Sequence, residues 1–74
     1  MEVEVRYFAT FRKNGVKKEV IPFEKSISVK ELLTKVDIQE EDVAILLVNG
    51  IKVDSETILK DKDVVSLFPP VGGG

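Results

Sequence analysis

Leu67-Phe68-Pro69-Pro70-Val71-Gly72-Gly73-Gly74 closes the chain, and its chemistry rests on one group, the Gly74 carboxylate. The two prolines remove two backbone donors and hold φ near about −65°, so this stretch leaves its strand stiff and extended. Each also pushes the residue before it toward the extended region. The glycines then strip away side-chain bulk, which suits a segment that threads a narrow channel in another protein. Fully extended, residues 69–74 reach roughly 20 Å. The expected division is a body over residues 1–68 and an extended functional tail over 69–74.

Elsewhere the sequence is poor in reactive side chains. It has no histidine, which removes the usual general base and the commonest metal ligand. It has no cysteine, so neither a disulfide nor thiolate chemistry is available. Glu40-Glu41-Asp42 lacks the spacing of a calcium loop and reads as a solvated turn. No catalytic constellation is present, so catalysis would have to come from partners. A carboxylate at neutral pH is a poor acylating group, and making Gly74 transfer anything requires an activated leaving group.

Thirteen acids against eleven bases give a net charge of −2, without the basic excess of a nucleic-acid binder. The first residues lack the basic-then-apolar pattern of a secretory leader. The apolar run Val43 to Val48 is far too short to span a bilayer. The expectation is a single soluble cytoplasmic domain that binds neither nucleic acid nor membrane. At 74 residues it would bury only about 60% of its unfolded surface.

The tail needs a body to present it, and the hydrophobic pattern supplies one. Glu2 to Tyr7 alternates strictly, with Val3, Val5 and Tyr7 on one face, as in a half-buried strand. Phe8 breaks the alternation: either the strand end is covered on both faces or Phe8 is exposed. Arg12-Lys13-Asn14-Gly15 reads as a hairpin turn, followed by a second strand from Val16 to Phe23. Pro22 places that strand at an edge or marks its end. Ser28-Val29-Lys30-Glu31 is a capping box. Behind it Val29, Leu32, Leu33 and Val36 form the apolar stripe of a short helix. Asp37 to Asp42 is acidic and irregular. Val43 to Val48 is continuously apolar, which predicts a strand covered on both faces. Asn49-Gly50 is a second hairpin signal, returning through Ile51-Lys52-Val53. After a polar loop Ile58 and Leu59 are expected to pack, Asp61-Lys62-Asp63 turns the chain, and Val64 to Phe68 is the last strand. The order β-β-α-β-β-β predicts an α+β fold with one helix across a mixed five-strand sheet. With the first and last strands parallel neighbours, this is the ubiquitin-like β-grasp.

Several of these residues also carry a family likeness. Val3-Glu4-Val5-Arg6-Tyr7-Phe8-Ala9, Ser28-Val29-Lys30-Glu31-Leu32-Leu33, Val48-Asn49-Gly50 and above all Phe68-Pro69-Pro70-Val71 before Gly73-Gly74 make the whole chain resemble the MoaD/ThiS sulfur carriers, most of all the MoaD type. The resemblance implies that an E1-like adenylating enzyme activates Gly74 with ATP, while the carrier binds no cofactor itself. A sulfur donor then makes the thiocarboxylate. A MoaD-type carrier threads its tail, here Gly72 and Gly73, into the large subunit of molybdopterin synthase and delivers sulfur to a pterin precursor. A ThiS-type carrier serves thiazole synthase in thiamine synthesis instead. A protein modifier joined to lysines through Gly74 is a further alternative. The sequence departs from the family at Gly72, where Ser, Thr or Ala is usual, at Asp61-Lys62-Asp63, where Gly-Asp is usual, and in its short passage from helix to third strand.

Two surface features complete the reading. Phe68, Pro69, Pro70 and Val71, with Phe8, are candidates for an apolar docking patch at the root of the tail. Phe8 and Phe68 would otherwise be core residues. Arg12, Lys13, Lys17 and Lys18 cluster around the first hairpin, where they guard a sheet edge or steer an acidic partner.

Overall fold

The computed structural model describes residues 1–12 and 15–70. Lys13, Asn14, Val71, Gly72, Gly73 and Gly74 therefore lie outside the described residues. Five strands form one mixed sheet: β1 (Glu2–Tyr7), β2 (Lys18–Pro22), β3 (Ile45–Val48), β4 (Ile51–Lys52) and β5 (Val64–Phe68). They lie in the order β2-β1-β5-β3-β4, with β1 and β5 parallel at the centre and the other pairs antiparallel. Among the described residues there is one α-helix, α1 (Val29–Lys35), and it packs on one face. This is the β-grasp arrangement.

The alternation in β1 sets the register of everything else. Val3, Val5 and Tyr7 are buried, and their partners on β5, Val65 and Leu67, are fully buried beside them. Leu46 and Val48 of β3 extend the same face. Val29, Leu32 and Leu33 of α1 close over it, together with Leu59.

The helix is fixed at both ends. Glu31 N donates to Ser28 Oγ at 3.2 Å, and Ser28 N donates to the Glu31 carboxylate at 3.1 Å. The amides of Val29 and Lys30 reach the carbonyls of Thr57 and Ser55, both at 2.9 Å, so the loop before Leu59 straps the first turn. At the far end Asp37 takes φ +59°, while the Asp37 and Ile38 amides bond back to Thr34 and Leu33. That is a Schellman stop with Asp where glycine is usual. Ile38 packs against the core at this point.

Asn49 does more than turn a hairpin. Asn49 and Gly50 have φ +53° and +80°, the pair of positive angles that a tight two-residue turn needs. The Asn49 side chain also clasps the start of β5: Oδ1 accepts from Val64 N at 2.9 Å, and Nδ2 donates to Asp63 Oδ1 at 3.0 Å. At the opposite edge, the Tyr7 hydroxyl donates to the Glu19 carboxylate and ties β1 to β2. Burial, and then that bond, push the Tyr7 phenol well above its ordinary pKa.

Several expectations need correction. β2 begins at Lys18 rather than Val16, and its pattern is mostly exposed because it is an edge strand. Val43 to Val48 is not covered on both faces: the strand starts at Ile45, which is 45% exposed, and only Leu46 and Val48 are buried. Ile58 does not pack and is 57% exposed. β4 ends at Lys52, one residue before Val53. Ahead of the first hairpin, a 3-10 turn over Ala9–Phe11 occupies a position that the sequence pattern did not mark. Among the described residues no helix is long and apolar enough to cross a membrane.

Candidate functional site

The last strand carries two registers of side chains to two different destinations. Val65 and Leu67 point into the core, while Val64, Ser66 and Phe68 lie on the opposite face. β5 stops at Phe68 because Pro69 has no N–H with which to continue the ladder. The Phe68 carbonyl still accepts from Ala44 N at 2.8 Å, so the strand is anchored up to its final residue.

Phe8 continues the open face of β1, and its ring lies on that of Phe68. The centroids are 4.2 Å apart and the planes differ by 13°. A stacked aromatic pair is worth about 0.5–1.5 kcal/mol beyond the area it covers. The choice left open for Phe8 is thereby resolved: it is half-buried on the open face, against the root of the tail.

Immediately after Phe8 the chain reverses through Ala9, whose φ of +52° is unusual for a residue with a Cβ. The reversal brings Arg12 back over the stack. Its guanidinium carbon lies 5.7 Å from the Phe8 centroid, and Nε donates to the Tyr7 carbonyl at 3.0 Å. Arg12 and Phe68 thus both lie against the Phe8 ring, beside the exit of the chain.

Register identifies two further members that the sequence pattern did not assign to the site. Ile45 lies opposite Phe68, and Leu47 lies opposite Ser66. Both face away from α1, because their neighbours Leu46 and Val48 are the buried residues of β3. The apolar run that looked like a strand buried on both sides is instead half core and half open surface.

Where the chain leaves the sheet, Pro69 is half-buried and Pro70 exposed. Both line a shallow groove with Thr10, Phe11 and Asp42. The structure therefore gathers Phe8, Phe68, Pro69 and Pro70 at one end of one face. Val71, Gly72, Gly73 and Gly74 lie outside the described residues. Among the described residues no cluster of three or more side chains is arranged to hold a metal ion.

Comparison with known proteins places this geometry among relatives. The model of the ThiS family matches residues 5–74. Comparison with curated proteins gives no match. Among solved structures, the chain is similar to a Pyrococcus furiosus protein assigned as molybdopterin converting factor, subunit 1, at 35% identity and a TM-score of 0.78, covering 95% of this chain and 98% of that one. It is also similar to a structure described as the complex of subunits 1 and 2 of molybdopterin-converting factor from Helicobacter pylori, at 34% identity and a TM-score of 0.69, with full coverage of both chains. A thiamine biosynthesis protein (ThiS) from Geobacter metallireducens shares 29% identity at a TM-score of 0.66, again with both chains fully covered.

Proposed function

The chain belongs to the ThiS family, and from that premise we propose that it is a sulfur carrier whose Gly74 carboxylate is the group that reacts. The observation that carries this reading is the root of the tail. An extended strand ends on the stacked Phe8 and Phe68 rings, and Pro69-Pro70 lead straight on from them. The body supplies position and a docking surface, and the remaining residues supply reach.

The chemistry divides accordingly. An E1-like adenylating enzyme joins the Gly74 carboxylate to the α-phosphate of ATP and releases pyrophosphate. A sulfur nucleophile then attacks the acyl carbon, AMP leaves, and the C–O bond to the nucleotide is replaced by a C–S bond. Phe8, Phe68, Pro69, Pro70 and Val71 hold the body on the partner, while Gly72 and Gly73 pass through its channel. Side chains at the last two positions would narrow what that channel accepts. Fixing each residue of the tail costs about 1–2 kcal/mol of backbone entropy, and the prolines reduce that loss in their own portion.

Among acceptors, we favour a pterin precursor bound to a large synthase subunit. The support is the Phe-Pro-Pro-Val-Gly-Gly-Gly ending together with the two molybdopterin-converting-factor relatives, each at least 34% identical. Delivery to a thiazole synthase is the second reading, favoured by the match to the ThiS model and the 29% identical thiamine protein. Incubation with the cognate adenylating enzyme, ATP and sulfide, followed by intact mass measurement, tests the shared claim. The expected product is one chain with one oxygen replaced by sulfur, located at Gly74 by fragmentation. An unchanged mass overturns it. Reconstitution with each synthase separates the two acceptors.

A further inference from the structure

The chain has two asparagines, Asn14 and Asn49, and each is followed by glycine. In such a pair the glycine nitrogen can close a five-membered ring on the asparagine side-chain carbon, and no Cβ stands in its path. At Asn49-Gly50 both residues are exposed, so water reaches the turn. A Cβ placed on Gly50 would meet nothing within 4 Å, so the space around it is open. The Gly50 amide donates no backbone hydrogen bond among the described residues. Nothing on the glycine side obstructs the reaction.

The restraint lies in the Asn49 side chain. Its bonds to Val64 N at 2.9 Å and to Asp63 Oδ1 at 3.0 Å hold the amide toward the start of β5. Closing a ring on Gly50 requires that amide to leave both partners. Asp63 is itself fixed, since its Oδ2 accepts from Lys60 N at 2.8 Å and its carbonyl accepts from Glu4 N at 2.9 Å. Glu4 and Val64 are the first paired residues of the central parallel strands. Opening the clasp therefore loosens the foot of β5.

We propose that Asn49 is a gated deamidation site: the clasp keeps it unreactive in the folded chain, opening releases it to cyclise on Gly50, and the acid that results keeps the clasp from closing again. In the open state the Gly50 nitrogen attacks Asn49 Cγ. An N–C bond forms, the C–Nδ2 bond breaks, the Gly50 amide proton passes to solvent, and the leaving nitrogen takes a proton and departs as ammonia. Water then adds to either carbonyl of the cyclic imide and opens it to aspartate or isoaspartate. Aspartate keeps the acceptor for Val64 N but loses the donor to Asp63, and it sets a second negative charge against a carboxylate that Lys60 N holds in place. Isoaspartate routes the backbone through the side chain and adds a carbon to a two-residue turn that fixes the register of β3 and β4. Conversion is thus an irreversible record of opening at the foot of the strand that ends at Phe68.

The test incubates the full chain in mildly alkaline buffer, folded and in denaturing urea, and maps both asparagines by digestion and mass measurement. Asn49 should convert at least about tenfold more slowly in the folded chain, as for a reaction that proceeds through local opening. Equal rates in the two states would overturn the proposal, as would no conversion in urea. Asp63→Ala removes the Nδ2 acceptor and should speed folded-state conversion about two- to tenfold, the scale of one hydrogen bond, with circular dichroism confirming the fold. Asn14 in the same digests should keep its rate; equal acceleration at both sites would assign the effect to general unfolding and refute the clasp. If Asp63→Ala does not fold, hydrogen exchange on the wild type decides instead. Below the urea transition, exchange of the Val64 amide should rise in step with conversion of Asn49, and conversion while Val64 stays protected would overturn the proposal. Asn49→Asp, the product itself, should melt below the wild type and exchange its Val64 amide faster; a variant equal to the wild type in both would show that the clasp closes after conversion and would contradict the irreversible step.

Discussion

Leu67 and Phe68 are adjacent on β5, both large and both apolar, yet they belong to different parts of the molecule. Leu67 is fully buried under the helix, whereas Phe68 lies on the uncovered face against Phe8. The same contrast holds one strand over, between Leu46, which is buried, and Ile45, which is 45% exposed. One face of the sheet spends its apolar surface on folding. The other keeps comparable surface available, beside the point where the chain departs for the tail.

The two faces should therefore fail in different ways. Leu67→Ala should cost about 2–5 kcal/mol, on the scale of the whole stability expected from so small a core, about 3–5 kcal/mol. Urea denaturation should find the variant largely unfolded. Phe68→Ala should leave the fold within about 1 kcal/mol, since it loses one half-exposed stack. Affinity for the cognate partner should nevertheless fall roughly thirtyfold, the scale of losing one aromatic anchor of about 2 kcal/mol. If Phe68→Ala unfolds the chain, or leaves titration calorimetry unchanged, the division between the faces is wrong.

Asn49→Ala sharpens the same contrast from the opposite end of the sheet. It removes both side-chain bonds to the start of β5 and places alanine at a positive φ. The expected cost is about 1–2 kcal/mol in chemical denaturation, with no change in partner affinity once the protein is folded. Tyr7→Phe is the smallest of the set, about 1 kcal/mol at neutral pH. Its pH dependence is the more telling readout. The folded phenol holds its proton more tightly than the unfolded one, because of burial and the Glu19 bond. Above about pH 10 the unfolded chain loses that proton first, so wild-type stability falls as pH rises. Tyr7→Phe lacks this contribution, and its melting temperature should decline less steeply there than that of the wild type.

The parts legible in the sequence were those fixed by short-range rules. Strict alternation located β1, the Ser28–Glu31 box located the helix start, and Asn49-Gly50 located the tight turn. The parallel pairing of β1 with β5 was the condition on which the element order reads as a β-grasp, and the sheet meets it. What stayed hidden depended on a second layer or on register. A run such as Val43 to Val48 reads the same whether its far side meets a helix or a partner, so Ile45 and Leu47 could not be placed on the open face. Ile58 was expected to pack because it adjoins Leu59, but only Leu59 turns inward. Phe8 and Phe68 were legible as site candidates from their positions, whereas the Arg12 layer required the reversal at Ala9, a positive φ that alanine does not announce.

The account separates holding from reacting, and one truncation tests that separation. The chain lacking residues 73–74 keeps every described contact of the open face. It should bind the cognate adenylating enzyme with affinity close to that of the full chain and acquire no sulfur when ATP and sulfide are supplied. If the truncated chain is loaded with sulfur as fully as the intact one, the reacting group is not at the end of the tail, and the account is contradicted.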